Sequence, residues 1–217
     1  FGNAGNGIHL VGVEIIDIGR TFSENNGNII TWSGGDGILL EGSSPSGWRK
    51  DHPDVSIGAN FVGTDGITAK GNMGAGIHIV DLITKGEVEI GGSGPLPSLN
   101  RTGIGNVVSG NQGDGILIER ADEVKVIGNY VGTDFRGLEP LGNGGDGIRL
   151  VDANFTWIMG GKSPSVVAAN LGHGISITST GYDAYGNVIS KQLIGLAADG
   201  ETRLENSLSA ILVDHAG

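Results

Sequence analysis

"NQGDGILIER", residues 111–120, joins a glycine-rich turn carrying one acid to a short apolar strand. Alone, the phrase fits a phosphate cradle, a calcium loop or a plain corner of the chain. Its recurrence decides. The isoleucine after the turn returns at Ile8, Ile38, Ile77, Ile116, Ile148, Ile175 and Ile211, at gaps of 30, 39, 39, 32, 27 and 36 residues. Glycine stands directly before six of these anchors, with Ala210 before the seventh, and three before six of them, with Leu208 in the last. Five before come Asn3, Ser33, Asn72, Asn111, Asn143, Asn170 and Asn206. Self-similarity at this period is the mark of a solenoid.

If each copy is one turn of a coil, the asparagines stack at the strand spacing of about 4.8 Å, and their amides bond to one another and to the backbone. The glycines then turn the chain sharply and cradle nothing. After each corner the side chains alternate. The anchors and Leu10, Leu40, Ile79, Ile118, Leu150, Ile177 and Val213 point inward. His9, Leu39, His78, Leu117, Arg149, Ser176 and Leu212 point outward, followed by Val11, Glu41, Val80, Glu119, Val151, Thr178 and Asp214.

Alternate copies resemble one another more than their neighbours do. "GANFVGTDG" (58–66) matches "IGNYVGTDF" (127–135), with "KQLIGLAAD" (191–199) a weaker version. The odd copies carry "DIGR", "EIGG" and "IMGG", then "GNIITWS", "GNVVSGN" and "SVVAAN". The unit is a double turn. Insertions at 43–54 and 93–103 are expected to bulge outward. The pattern predicts an all-β, single-stranded, right-handed parallel β-helix of six to seven coils of 27–39 residues. Residues 1–217 form one domain. The chain opens at Phe1 rather than Met, so it is read as a processed product or a segment of a longer protein, with flanking sequence or a second copy expected to cover the strand edges at its two ends.

Composition narrows the partners. Of 217 residues 42 are glycine and none is cysteine, which excludes disulfides and thiolate metal sites. A net charge of −11 without a basic stripe argues against nucleic acid. No apolar run reaches the ~20 residues of a membrane-spanning helix.

The phrases "NVVSGNQGDGILIE", "IGNYVGTDFRGLEPLGNGGDGIRL" and "IMGG" resemble the right-handed parallel β-helix repeats of bacterial secreted and surface proteins, in the pectate-lyase-like group. The resemblance covers about residues 3–214. It implies an extracellular or cell-surface location and a scaffold shared by polysaccharide lyases, galacturonases, epimerases, tailspikes and non-catalytic stalks. Fold alone does not choose among them.

Candidate chemistry is thin. Asp36, Asp114 and Asp146 stand two before their anchors, and the last two fall on neighbouring coils. Stacking places that pair about 5–6 Å apart, near the spacing of retaining glycosidase carboxylates, or able to recruit calcium. The plain alternative is that aspartate suits a turn, as Asn6 does in the first copy. Asp114 and Asp146 are therefore the candidates for catalysis and for metal, and Arg120, Arg149 and His78 for contact with a glycan. His9 and His78 lie two coils apart, too far to share a metal. Asp81, Arg120 and Asp152 fall on consecutive coils as an ion ladder. "DHPD" (51–54) only superficially resembles the Asp-Pro-His-Glu motif of alginate epimerases, since the order differs, and no lyase or galacturonase signature occurs. Trp157 aligns with inward Val88 and is expected in the core. The main expectation is a non-catalytic solenoid segment of a secreted or surface protein, serving as stalk, adhesive surface or filament element. The alternative is a polysaccharide-active enzyme or an inactive relative.

Overall fold

The computed structural model describes residues 2–19, 27–42, 54–82, 87–93, 105–181 and 184–215. The insertions at 43–53 and 94–104, with Trp48 and most of the "DHPD" stretch, lie outside the described residues. Every strand pairs parallel to the equivalent strand one coil away. The first sheet contains β1 (Ile8–Val11), β4 (Ile38–Glu41), β7 (Ile77–Leu82), β10 (Ile116–Ala121), β13 (Ile148–Val151), β16 (Ile175–Ser179) and β19 (Ile211–His215), in that spatial order. The second contains β2 (Ile16–Ile18), β5 (Val55–Ile57), β8 (Val88–Gly91), β11 (Val124–Ile127), β14 (Trp157–Met159) and β17 (Val188–Ser190). The third contains β3 (Ile29–Ile30), β6 (Phe61–Val62), β9 (Val107–Val108), β12 (Tyr130–Val131), β15 (Ser165–Val167) and β18 (Gln192–Ile194). Each coil takes one strand from each sheet, so the chain is a single-stranded parallel β-helix of six three-strand coils and a seventh first-sheet strand.

The register follows the repeat. Ile8, Ile38, Ile77, Ile116, Ile148, Ile175 and Ile211 form one column. From coil 2 to coil 6 these anchors and the residues two after them are buried, and with inward Val62, Val108, Val131 and Val167 they make one continuous core. In the seventh strand the same columns emerge: Ile211 is 44% and Val213 56% exposed. Four residues after the anchor of coils 1 to 5 stands a residue in left-handed backbone, Gly12, Gly42, Asp81, Arg120 or Asp152, which turns the chain toward the second sheet.

Asparagine fixes the corner before the first sheet. Nδ2 of Asn72 donates to Oδ1 of Asn111 at 2.9 Å, and the chain of bonds runs on through Asn143 and Asn170 to Asn206. Each Oδ1 also accepts the backbone N–H of the residue one rung back. The buried amides are thus satisfied by their own repetition. Ser33 opens the column by donating its N–H to Asn72 Oδ1, while its buried hydroxyl finds no partner. A second ladder, Asn28–Asn60–Asn106–Asn129, holds the corner between the second and third sheets.

Even and odd coils differ at the third corner. After β6, β12 and β18 the chain makes a loop with an antiparallel neck, Thr64 opposite Ala69, Thr133 opposite Pro140 and Leu196 opposite Arg203. The first two loops fold over the outward rings of Phe61 and Tyr130, both 2% exposed. A Cβ at Gly66 or Gly137 would lie 2.7 or 3.0 Å from those rings, and both residues have positive φ, so only glycine lets the loop descend this far. Phe61, Val107, Tyr130, Val166 and Ala168 form a second hydrophobic cluster beneath, outside the coil. Burial, with a smaller effect from Asp134, pushes the Tyr130 phenol up to about 12.

One inward assignment is corrected. Trp157 pairs with Lys125 and through it with Glu89, not with Val88. Thr156, fully buried, takes the inward place opposite Val124, and the indole stands outward and 41% exposed with Lys125 Nζ 5.3 Å from its ring centre. A shift of one residue sends a strand side chain to the other face.

Candidate functional site: the outer face of the first sheet

The outward columns of the first sheet gather every candidate. Their alternation of basic and leucine has a local cause. Asp36 Oδ1 accepts the N–H of Ala75 at 2.7 Å, Asp114 that of Asp146 at 2.7 Å, and Asp146 that of His173 at 2.6 Å. Asn6 does the same for Asp36 at 2.7 Å. The second carboxylate oxygen reaches the outward strand residue one coil on: His78 Nδ1 at 3.1 Å from Asp36, Arg149 Nη1 at 4.0 Å from Asp114, and Ser176 Oγ at 2.5 Å from Asp146. Where the turn holds Asn6, Ala75 or His173 instead, the residue reached is Leu39, Leu117 or Leu212. A turn carboxylate thus goes with a polar outward residue on the next coil, and a turn without one goes with leucine.

A diagonal pairing crosses the same face. His9 meets Glu41 at 2.9 Å, and His78 Nε2 lies 3.6 Å from Glu119 Oε2. Glu119 in turn contacts the Arg120 guanidinium, whose Nε sits 2.6 Å from Asp81. Asp36, His78, Glu119, Arg120 and Asp81 therefore form one chain of contacts over three coils. Arg120 holds the Asp81 carboxyl below the usual carboxylate range, and Asp81 and Glu119 raise the Arg120 guanidinium. The expected ladder of Asp81, Arg120 and Asp152 is present in its first half. Asp152 accepts both the N–H and the hydroxyl of Thr180 on the next coil.

Arg120 borders a shallow depression with Asp122, Asp152 and Asn154. Its cation is thus surrounded by carboxylates, an unfavourable place for the acid of a uronate sugar. Burial raises the Asp114 carboxyl above its ordinary value; the N–H of Asp146 opposes the rise, the Asp146 charge adds to it, and Arg149 and His78 oppose it weakly. Its Oδ1 is held in the turn. No group of three or more His, Asp or Glu among the described residues could hold a metal ion.

The aromatic residues lie elsewhere. Phe155 and Tyr185 meet edge to face at 5.0 Å beside the second sheet, and Trp32 stands 60% exposed at the third corner of coil 1. The second asparagine ladder and the loop-covered cluster also escaped the sequence reading, although "GN", "AN", "GN" and "GN" before Ile29, Phe61, Val107 and Tyr130 carry the first of them. Comparison with protein-family models, with curated proteins and with solved structures finds no match to the chain.

Proposed function

We propose that the chain is a non-catalytic β-solenoid segment of a secreted or cell-surface protein, a stalk or adhesive surface with polysaccharide as a contact. One observation carries this reading: Asp36, Asp114 and Asp146 are each bonded to a backbone N–H of the next rung and reach its outward strand residue, and His9–Glu41, His78–Glu119 and Arg120–Asp81 pair from coil to coil beside them. A catalytic centre breaks a repeat, because its groups must face substrate rather than one another. The resemblance to pectate-lyase-like repeats supports the location and the polysaccharide contact.

The raised carboxyl of Asp114 beside Asp146 favours the second reading, a polysaccharide-active enzyme with Asp114 as proton donor. One screen separates the two. Incubated with polygalacturonate, alginate and neutral polysaccharides, the protein is expected to release neither unsaturated products nor reducing ends. Turnover that Asp114→Asn abolishes would establish the enzyme.

A further inference from the structure

Trp32 departs from the repeat at the third corner. In the odd coils the residue before the ladder position is Trp32, Gly110 or Ala169, and all three have left-handed backbone, at φ 57°, 75° and 62°. Each donates its N–H to the last residue of the loop above, Lys70, Leu141 or Leu204. The corner asks for a residue without bulk, and coil 1 supplies the largest side chain there is. A bulky residue held in this conformation persists where its side chain is put to use.

The indole faces a trough. Trp32 and Met73, both 60% exposed, form its apolar sides, and Asn3 and Gln112 place amides at its edge. Gly34 and Gly71 leave the floor as bare backbone, since a Cβ there would lie 2.3 Å from the Ala4 carbonyl and 2.0 Å from that of Gly110. The lining spans four rungs, joined by the bonds Gly34 N–H to Asn3 O, Met73 N–H to Ser33 O and Gln112 N–H to Asn72 O. At the strand spacing this is a run of about 15 Å along the axis. Among the described residues, none that lines the trough carries a charge, although the chain carries −11.

We propose that this trough binds a neutral glycan, with a pyranose ring stacked on Trp32. The C–H face of a pyranose packs against an aromatic face, and its hydroxyls both donate to and accept from side-chain amides. The axial length suits a chain of several sugars rather than one. A polyanion would find no cation among the described lining residues and would approach a negatively charged molecule. The inference deepens the stalk reading above by naming the class of glycan that such a segment contacts.

The test uses tryptophan fluorescence and calorimetric titration with cellohexaose, xylohexaose and mannohexaose, and with hexagalacturonate as the acidic probe. Trp32→Gly places at the corner the residue that coil 3 already has, so its melting temperature should be at least that of the parent. Trp157→Phe serves as the control for an exposed indole elsewhere. At least one neutral hexaose should bind, at least tenfold more weakly to Trp32→Gly and equally to Trp157→Phe, and hexagalacturonate should not bind. The proposal is overturned if no neutral hexaose binds, if Trp32→Gly binds as the parent does, or if only the acidic probe binds. Cleavage of a bound hexaose would instead overturn the non-catalytic reading and leave the Trp32 site standing.

Discussion

Asp146 on the fifth coil holds Ser176 on the sixth, carboxylate to hydroxyl at 2.5 Å, with Ser176 1% exposed. The same geometry joins Asp114 to Arg149 at 4.0 Å, but with the guanidinium side chain 45% exposed. Burial therefore separates two versions of one contact. In double-mutant cycles the Asp146→Ala and Ser176→Ala pair should show a coupling of about 1–2 kcal/mol, as for a buried hydrogen bond to a charged group. The Asp114→Ala and Arg149→Leu pair should fall below about 0.5 kcal/mol, as for an exposed ion pair. Urea denaturation of the single and double variants measures both.

Removal of an interior ladder amide leaves buried partners on both sides. Asn111→Ala removes the Oδ1 that accepts from both Nδ2 and the backbone N–H of Asn72, and one of the two donors to Asn143 Oδ1. The expected loss is about 2–3 kcal/mol, and Asn129→Ala in the second ladder should lose a similar amount. Asn206→Ala, at the half-buried end of the column, should lose less than about 1 kcal/mol. Equal losses at all three positions in thermal denaturation would show that the ladders do not act through burial.

Ser33 offers the opposite experiment. Its hydroxyl is buried without a partner, while its N–H already donates to Asn72 Oδ1. In Ser33→Asn the new amide stands where Asn72 stands relative to Asn111 and gains a donor bond of the same kind. Stability should rise by about 1 kcal/mol, read as an increase in the denaturation midpoint at constant slope.

Acid titration tests the Asp114 carboxyl. Its carboxyl is raised in the folded state, so the folded form favours the proton more than the unfolded form does. This contribution lowers stability as pH rises from the unfolded value near 4 through the folded value, and vanishes below both. Asp65 has the reverse sign: burial works against its charge, but Lys70 and the groups of Thr68 and Ile67 outweigh it and hold the carboxyl low. Its contribution is present above the unfolded value and is lost as pH falls through the folded one. Asp114→Asn keeps the acceptor that Asn6 supplies in coil 1, so it should be more stable than the parent at pH 7 and equal to it below pH 3.5. A constant difference across that range, measured by urea denaturation, would place the effect outside Asp114 ionisation.

The first sheet was legible because its signal is redundant: Gly, Asn and Ile recur together at fixed offsets from Ile8 to Ile211. The third sheet was harder to read. Its strands in the even coils are two or three residues long, and Phe61 and Tyr130 face outward under loops that only tertiary contact reveals. The misplacement of Trp157 has another root: an alignment with inward Val88 that is one residue off, since the register gives that inward place to Thr156. The site residues were found one at a time, whereas their meaning lies in pairs. Asp36 and His78 are 42 residues apart, and that distance hides a contact between successive coils.

The loops of the even coils also touch one another. Phe135 donates its N–H to the carbonyl of Gly66, and Ala198 to that of Gly137, each bond passing over the odd coil between them. A bond that steps over a coil ties the length of the rod to even numbers. Deletion or duplication of one turn would set a loop against a loopless corner, bare the rings of Phe61 or Tyr130 and break the turn-to-strand pairing on the opposite side. Such a rod grows or shrinks in pairs of turns.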